Sequence, residues 1–305
     1  MKASLIGMVV LAFVIRLVGC SEQTVSVQSA VEDGTPPAAE QYEALKPVIE
    51  EPAFAQPRLE GAEFTNDESQ RESKEQPSKA AQPPLETVEQ ARMFAERRQR
   101  MVDVQMAERD IVDHRVLSVM RRVPRHKFVP NELQDLAYID RPLPIGHEQT
   151  ISQPYIVALM TQLARPKADD RALDIGTGSG YQAAVLAELV EKVYSIEIVR
   201  PLAESGRARL RSLGYSNVQV ICGDGYQGLP REAPFDVIIV AAAPEHIPEP
   251  LIEQLAPGGR LVIPVGRLFQ NLLVIEKLSD GTVRQEKVAP VRFVPMTGEA
   301  EKKRD

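Results

Sequence analysis

The spacing of hydrophobic positions changes along this chain of 305 residues. Between residues 87 and 122 apolar side chains recur at helical intervals, and Pro124 ends that pattern. From Arg171 onward short apolar runs alternate with helical segments; the runs are RALDI, KVYSIEI, VQVICGD, FDVIIVAAA and GRLVIPVG. This alternation predicts an α/β fold with a doubly wound, mostly parallel sheet covered by helices on both faces.

The segments before, between and after these apolar runs show other patterns. NLLVIEKL and TVRQEKVAPVRFVP flank Ser279-Asp280-Gly281, which predicts an antiparallel hairpin at the edge of the sheet. The stretch YIDRPLPIGHEQTISQPY is too rich in proline and glycine for regular structure, so we expect a loop. A helix should follow from about Pro154 to Leu163, because proline suits a first helical turn. PEPLIEQLAPGG, before the last apolar run, predicts another helix.

The first 20 residues read as a signal-like N-terminus. An apolar run extends from Leu5 to Ile15, and the N-terminal segment ends in Leu17-Val18-Gly19-Cys20, which resembles the lipobox of bacterial lipoproteins, whose cysteine is lipidated. The run is shorter than the roughly 20 residues of a membrane-spanning helix. Arg16 departs from the lipobox pattern, so translation starting near Met93 or Met101 is the alternative.

Residues 21–90 differ in composition from the rest of the chain. They hold 15 acidic and 5 basic residues and are rich in proline and glutamine, while the whole chain has a net charge of −7. Such a segment buries too little apolar surface to offset the entropy cost of ordering, so we expect a disordered tether. The predicted domains are therefore a signal-like segment at 1–20, the tether at 21–90 and a folded catalytic domain at 91–305.

The composition of the chain argues against two classes of function, nucleic-acid binding and metal binding. Outside the tether the charge is nearly balanced, without the basic patch expected of a nucleic-acid-binding protein, so we predict no nucleic-acid partner. The chain has four scattered histidines and two cysteines, none at zinc-ligand spacing, so we predict no metal.

The turn after the first strand of the alternating region is the strongest candidate for a binding site. Gly176, Gly178 and Gly180 follow RALDI and precede an alanine-rich helix. In an open parallel sheet this turn lies against the ligand, and glycines allow both positive φ and close approach of the backbone. The alternative is that these three glycines serve only the packing of the chain and bind no ligand.

Two acidic residues at the ends of the next strands narrow the predicted chemical identity of the ligand. Glu197 lies where a carboxylate can accept hydrogen bonds from both ribose hydroxyls, and Asp224 where one can receive an adenine amino group. The NAD fingerprint requires glycine where this chain has Tyr181, so the spacing favours S-adenosylmethionine. Asp174 either holds the amino-acid portion of the ligand or caps the glycine turn.

Several stretches closely resemble protein-L-isoaspartate O-methyltransferases. They are PLPIGHEQTISQPYIVALMTQLA, LDIGTGSGYQAAVLAEL, GDGYQGLPREAPFDVIIVAAAP, GGRLVIPVG and VRFVPMTG, in order between Met101 and Gly298. The GHEQTISQPY loop is specific to that family among methyltransferases. The resemblance implies an S-adenosylmethionine-dependent enzyme that methylates the free α-carboxylate of L-isoaspartyl residues in damaged proteins and peptides, which initiates their repair.

The resemblance also assigns site residues. Ser152 matches the family's active-site serine, although it could instead cap the helix that starts at Pro154. A second group is expected around the cofactor and its junction with the substrate: Thr150, Ile151, Gln153, Tyr155, Gly225 and Thr297. A carboxylate is already ionised at neutral pH, so no general base is required and catalysis should come from positioning and exclusion of water.

Two alternative functions stay open at this point. One is a methyltransferase for another carboxylate or a small molecule, and the other is a non-catalytic envelope binding module. For location, the family resemblance and the cytosolic supply of cofactor favour the cytoplasm. The alternative is an envelope lipoprotein, with membrane contact only if Cys20 is lipidated.

Overall fold

The computed structural model describes residues 86–298 of the chain. The predicted signal-like segment and nearly all of the predicted tether lie outside these residues. A seven-stranded sheet forms the centre of the described part, in the order β5-β4-β3-β6-β7-β8-β9. Its strands are β3 (Arg171–Ile175), β4 (Lys192–Glu197), β5 (Val218–Cys222), β6 (Phe235–Val240), β7 (Leu255–Val265), β8 (Gln270–Lys277) and β9 (Val283–Val291).

The first five of these strands in chain order, β3 to β7, run parallel, and β8 pairs antiparallel with both β7 and β9. The chain builds outward from β3 to β5 on one side and from β6 to β9 on the other. The switch in direction therefore lies between β3 and β6, where such sheets bind ligands beyond the carboxyl ends of their strands. The predicted α/β class, its mostly parallel sheet and its C-terminal hairpin are confirmed.

Six α-helices surround the sheet in the described part. They are α1 (Val88–Val102), α2 (His114–Arg122), α3 (Pro154–Ala164), α4 (Tyr181–Ala187), α5 (Arg200–Ser212) and α6 (Glu249–Glu253). A π-helical turn (Asp103–Ala107) extends α1, and three 3-10 turns occupy Arg125–Phe128, Asn131–Leu136 and Gly225–Gln227.

Alternate residues of the central strands feed two hydrophobic cores. Ala172 of β3 and Val237 of β6 join a core built with residues of α1 to α5. Leu173 and Ile238, one position further along, join the opposite core with Leu251 of α6. Both faces of these strands are buried, which explains their continuous apolar runs.

The structure corrects two local predictions. The stretch expected to be irregular contains a small antiparallel pair, β1 (Leu143–Gly146) with β2 (Gln149–Ile151). A two-stranded pair lets Pro144 take an edge position, where a missing N–H costs little. The helix expected over PEPLIEQLAPGG ends at Glu253, because Pro257 would clash with the carbonyl of that residue in a longer helix.

Candidate functional site

A cleft opens at the carboxyl ends of β3, β4 and β6, at the switch in strand order. It has a volume of about 830 Å³ including its open mouth, within the roughly 300–1,000 Å³ of small-molecule sites. Its walls come from the glycine turn, the ends of β4 and β6, the segment Gln149–Ser152 and the segment Val294–Thr297.

The glycine turn forms the floor of this cleft. Gly176, Gly178 and Gly180 have φ values of +94°, +51° and +92°, a region that L-residues with side chains rarely adopt. Gly176 and Gly178 line the cleft, whereas Gly180 packs against α5, where an added Cβ would lie 3.1 Å from Leu210. The third glycine therefore serves helix packing and the first two face the ligand space.

Glu197 at the end of β4 is buried and faces the cleft. Its Oε2 accepts the N–H of Gly178 at 2.7 Å, and its Oε1 accepts the N–H of Val199 at 2.9 Å. Each carboxylate oxygen has a second lone pair. Glu197 can thus hold the glycine turn in place and still accept hydrogen bonds from a ligand.

Asp174 lies fully buried beneath the cleft rather than on its wall. Its Oδ2 accepts the Ser195 hydroxyl at 2.7 Å, and Ser195 Oγ lies 2.6 Å from the Thr177 hydroxyl oxygen. Within residues 86–298, Asp174 Oδ1 has no hydrogen-bond partner. Burial raises the pKa of Asp174 to about 7, opposed by the Ser195 hydrogen bond and reinforced by the nearby Glu197 carboxylate.

This raised pKa predicts a pH-dependent effect of Asp174→Asn on stability. The folded pKa, about 7, exceeds the ordinary value of 3.8, so the contribution of Asp174 to stability declines as pH rises between these values. From pH 5 to pH 8 the variant should gain about 2 kcal/mol of unfolding free energy relative to the parent protein. Urea denaturation at both pH values measures this, and an unchanged difference would contradict the raised pKa.

The segment Thr150–Ser152 forms the wall opposite the glycine turn. The structure does not support the helix-capping alternative for Ser152, because the N-cap of α3 is Gln153, whose side chain makes no capping hydrogen bond. Instead Asp140 Oδ1 accepts the N–H of Tyr155 at 3.1 Å. Within residues 86–298 no hydrogen bond engages the Ser152 hydroxyl, which leaves it available to a ligand.

Of the other expected residues, Thr150, Ile151, Gly225 and Thr297 line the cleft. Tyr155 does not, because its hydroxyl donates to Asp110 at 2.7 Å. Asp224 is also off the wall of the cleft, and its Oδ1 accepts the N–H of Tyr226 at 2.9 Å, which caps the 3-10 turn.

Sequence reasoning missed about two thirds of the lining. The missed residues are Gln149, Val157, Ile175, Thr177, Ser179, Tyr181, Gln182, Ile196, Ile198, Val199, Ala241, Ala242, Val294, Pro295 and Met296. Position just after a strand could have identified Ile198 and Ala241. No local signal marks Pro295, which a bridge to Ala243 brings to the site.

A second, wider groove adjoins the cleft. Its lining comes from Pro142, the segment Thr150–Ile156, Ala241 and the end of β9 with the chain that follows it, from Pro290 to Val294. Thr150, Ser152, Ala241 and Val294 line both spaces. Ser152 therefore stands at the junction between the cleft with its glycine floor and the adjoining groove.

Two features are absent from residues 86–298. No group of three or more histidine, cysteine or acidic side chains in that range is placed to hold a metal ion. No helix in that range is long and apolar enough to cross a membrane.

Comparison with known proteins identifies similar sequences and folds. Residues 96–301 match the family profile described as protein-L-isoaspartate(D-aspartate) O-methyltransferase. A protein-L-isoaspartate O-methyltransferase 2 of Polaromonas sp. is 58% identical over 190 residues, which cover 62% of this chain and 90% of that relative. A protein-L-isoaspartate O-methyltransferase of Gloeobacter violaceus is 55% identical over 201 residues, covering 65% and 98%.

Solved structures agree with the sequence comparison. A structure titled protein-L-isoaspartate O-methyltransferase superimposes with a TM-score of 0.60 at 28% identity, covering 67% of each chain. A putative enzyme of the same name from Plasmodium falciparum, in complex with S-adenosyl-L-homocysteine, gives a TM-score of 0.58 at 28% identity, covering 66% of this chain and 98% of that one.

Proposed function

Because this chain belongs to the protein-L-isoaspartate(D-aspartate) O-methyltransferase family, we propose that its cleft binds S-adenosylmethionine, its groove binds the isoaspartyl peptide and Ser152 works between them. The enzyme transfers a methyl group from S-adenosylmethionine to the free α-carboxylate of L-isoaspartyl residues, which initiates repair of damaged proteins. The single observation that supports the assignment of roles is that Ser152 lines both spaces.

The residues of the cleft suit an adenosyl ligand with a charged amino-acid portion. Gly176 and Gly178 leave room for close backbone contact, and Glu197 is a buried acceptor for ribose hydroxyls. The unpartnered Oδ1 of Asp174 is a buried acceptor beneath the turn, suited to an ammonium group reached directly or through water. Gly225 and Thr297 also line this cleft, and we assign them to contact with the adenosyl part of the ligand.

Methyl transfer requires little proton transfer from the residues of this site. Bound S-adenosylmethionine supplies a methyl group on an electrophilic sulfonium. The substrate carboxylate is already ionised, so the chain's part is to orient one carboxylate oxygen and exclude water. We assign the orienting hydrogen bond to the Ser152 hydroxyl. As a neutral donor, it fixes the carboxylate while lowering its nucleophilicity less than a cation would.

The proposed function is tested by pairing a binding measurement with a transfer assay. Calorimetry with S-adenosylmethionine and S-adenosylhomocysteine should show one site per chain. Labelled methyl groups should pass to an isoaspartyl peptide but not to the same peptide with normal aspartate. Transfer to unrelated carboxylates alone would favour the broader methyltransferase, and absence of both binding and transfer would favour the non-catalytic module.

We further propose the three-part organisation given above, with segments at 1–20, 21–90 and 91–305, except that α1, which begins at Val88, moves the start of the folded part a few residues earlier. Partial proteolysis should release a stable fragment that begins between residues 79 and 91 and keeps the transfer activity. A fragment that loses activity when residues 21–78 are removed would contradict the boundary.

For location we propose the cytoplasm, where the methyl donor is made, with membrane contact only if Cys20 is lipidated. Mass spectrometry of the mature N-terminus tests this directly. An unmodified N-terminus supports the cytoplasmic assignment, whereas a diacylglyceryl group on Cys20 would overturn it in favour of the envelope.

A further inference from the structure

Arg125 is a fully buried arginine close to the segment that carries Ser152. Its Nη2 donates to the Ser152 carbonyl at 2.7 Å, and its Nε donates to the Ala137 carbonyl at 2.8 Å. Its guanidinium also lies over the ring of Tyr181, 4.8 Å from the ring centroid. One side chain thus ties the Ser152 segment to the preceding turn and to the helix after the glycine turn.

Asp140 holds the other side of the same segment. Its Oδ2 accepts the Gln153 side-chain amide at 2.7 Å, and its Oδ1 accepts the N–H of Tyr155 at 3.1 Å. Arg109 donates to Asp140 from outside at 3.1 Å. Asp140 therefore fixes the start of α3 immediately after Ser152.

We propose that Arg125 and Asp140, here called the Ser152 clamp, are positioning residues for methyl transfer. Neither side chain lines the cleft or the groove, so both act through the backbone they hold. Fixing the Ser152 carbonyl fixes ψ at that residue, and fixing the first turn of α3 fixes the chain that follows. The clamp thereby sets where the Ser152 hydroxyl points. This inference rests on the proposed role of Ser152.

The choice of arginine follows from its geometry. The planar guanidinium donates to two carbonyls, 12 and 27 residues away in sequence, and stacks on an aromatic ring at the same time. A lysine ammonium is compact and cannot reproduce this fork. Burial lowers the pKa of Arg125 to about 10, still far above neutral pH, so the group stays charged and keeps its donors.

The test is a double-mutant cycle between the clamp and Ser152. Arg125→Lys and Asp140→Asn are made in the parent enzyme and in Ser152→Ala, and single-turnover transfer of a labelled methyl group to an isoaspartyl peptide is measured. In the parent, each substitution should slow transfer about 10-fold, since mispositioning costs rate. In Ser152→Ala the same substitutions should slow transfer less than about threefold, because the hydroxyl they orient is absent.

Measurements of cofactor-analogue binding and of thermal stability distinguish a positioning role from a purely structural one. The Kd for S-adenosylhomocysteine should stay within about twofold in both clamp variants, because neither clamp side chain lines the cleft and Tyr181, the lining residue that Arg125 contacts, also packs against Phe128. Arg260→Lys is the matched control: this partly buried arginine donates to the Leu163 carbonyl at 3.1 Å and to Glu276, away from Ser152. It should lower the Tm while leaving transfer unchanged.

Each outcome supports the clamp or overturns it. Equal slowing in the two backgrounds, or slowing that follows a weaker Kd for the cofactor analogue, would overturn the clamp while leaving the role of Ser152 intact. If Ser152→Ala itself transfers methyl groups at the parent rate, the proposed role of Ser152 fails and the clamp fails with it. Should Arg125→Lys not fold, Asp140→Asn decides the result alone, since its side chain is partly exposed.

Discussion

Replacing Ser152 by alanine should slow methyl transfer to an isoaspartyl peptide by about 10²- to 10³-fold, the cost of removing one preorganised hydrogen-bond donor from a reacting group. The hydroxyl lines both the cleft and the groove and has no hydrogen-bond partner within residues 86–298. Alanine removes this donor without disturbing a helix cap, because Asp140 caps α3. The measurements are kcat for the peptide and the Kd of S-adenosylmethionine.

The comparison of kcat with the Kd of S-adenosylmethionine shows whether Ser152 acts in methyl transfer or in cofactor binding. Affinity for S-adenosylmethionine should change by less than about threefold, since Ser152 acts on the carboxylate in the transition state. Ser205→Ala is the control: this serine donates to the Leu202 carbonyl within α5, outside both spaces, and the variant should match the parent. If Ser152→Ala weakened cofactor binding as strongly as it slowed transfer, Ser152 would be a binding residue instead.

The central sheet was predictable from sequence because its strands are buried on both faces. RALDI and FDVIIVAAA give continuous apolar runs, and the proline at the second position of α5 marks a helix start. The hairpin β1–β2 was missed because local composition favours a loop at that point. Its pairing depends on Leu143 being buried against the helices packed on the sheet, a tertiary contact that no local pattern encodes.

The site residues, like the elements of the fold, divide into those that the sequence predicts and those that it does not. Gly176, Gly178 and Glu197 were identified because a ligand at this fold's switch point needs bare backbone and an acidic acceptor at fixed positions. Arg125 and Asp140 gave no such signal. Arg125 contacts Ser152 across 27 residues, and the fold buries its side chain completely. Supporting residues of this kind depend on three-dimensional proximity, which spacing in sequence does not report.

Replacing Glu197 by glutamine should weaken S-adenosylmethionine binding about 100-fold, through the loss of charge-assisted hydrogen bonds worth about 1.5–3 kcal/mol each. Both carboxylate oxygens already accept backbone N–H groups, from Gly178 and Val199. An amide nitrogen must therefore face one of these donors, which loosens the glycine turn as well as removing an acceptor for the ribose. Calorimetry gives the Kd, and kcat at saturating cofactor should stay within about threefold, because Glu197 does not touch the carboxylate.

Glu276→Gln provides the matched control for that variant. Glu276 also accepts two hydrogen bonds, from the side chains of Arg260 at 2.7 Å and Arg284 at 2.8 Å, but it lies on β8 outside the cleft. Its loss should lower stability and leave cofactor affinity unchanged. A Glu197→Gln enzyme that bound S-adenosylmethionine like the parent would show that the carboxylate serves only to brace the glycine turn, and the ligand's ribose would then have to be held by the backbone of Ile198 and Val199 instead.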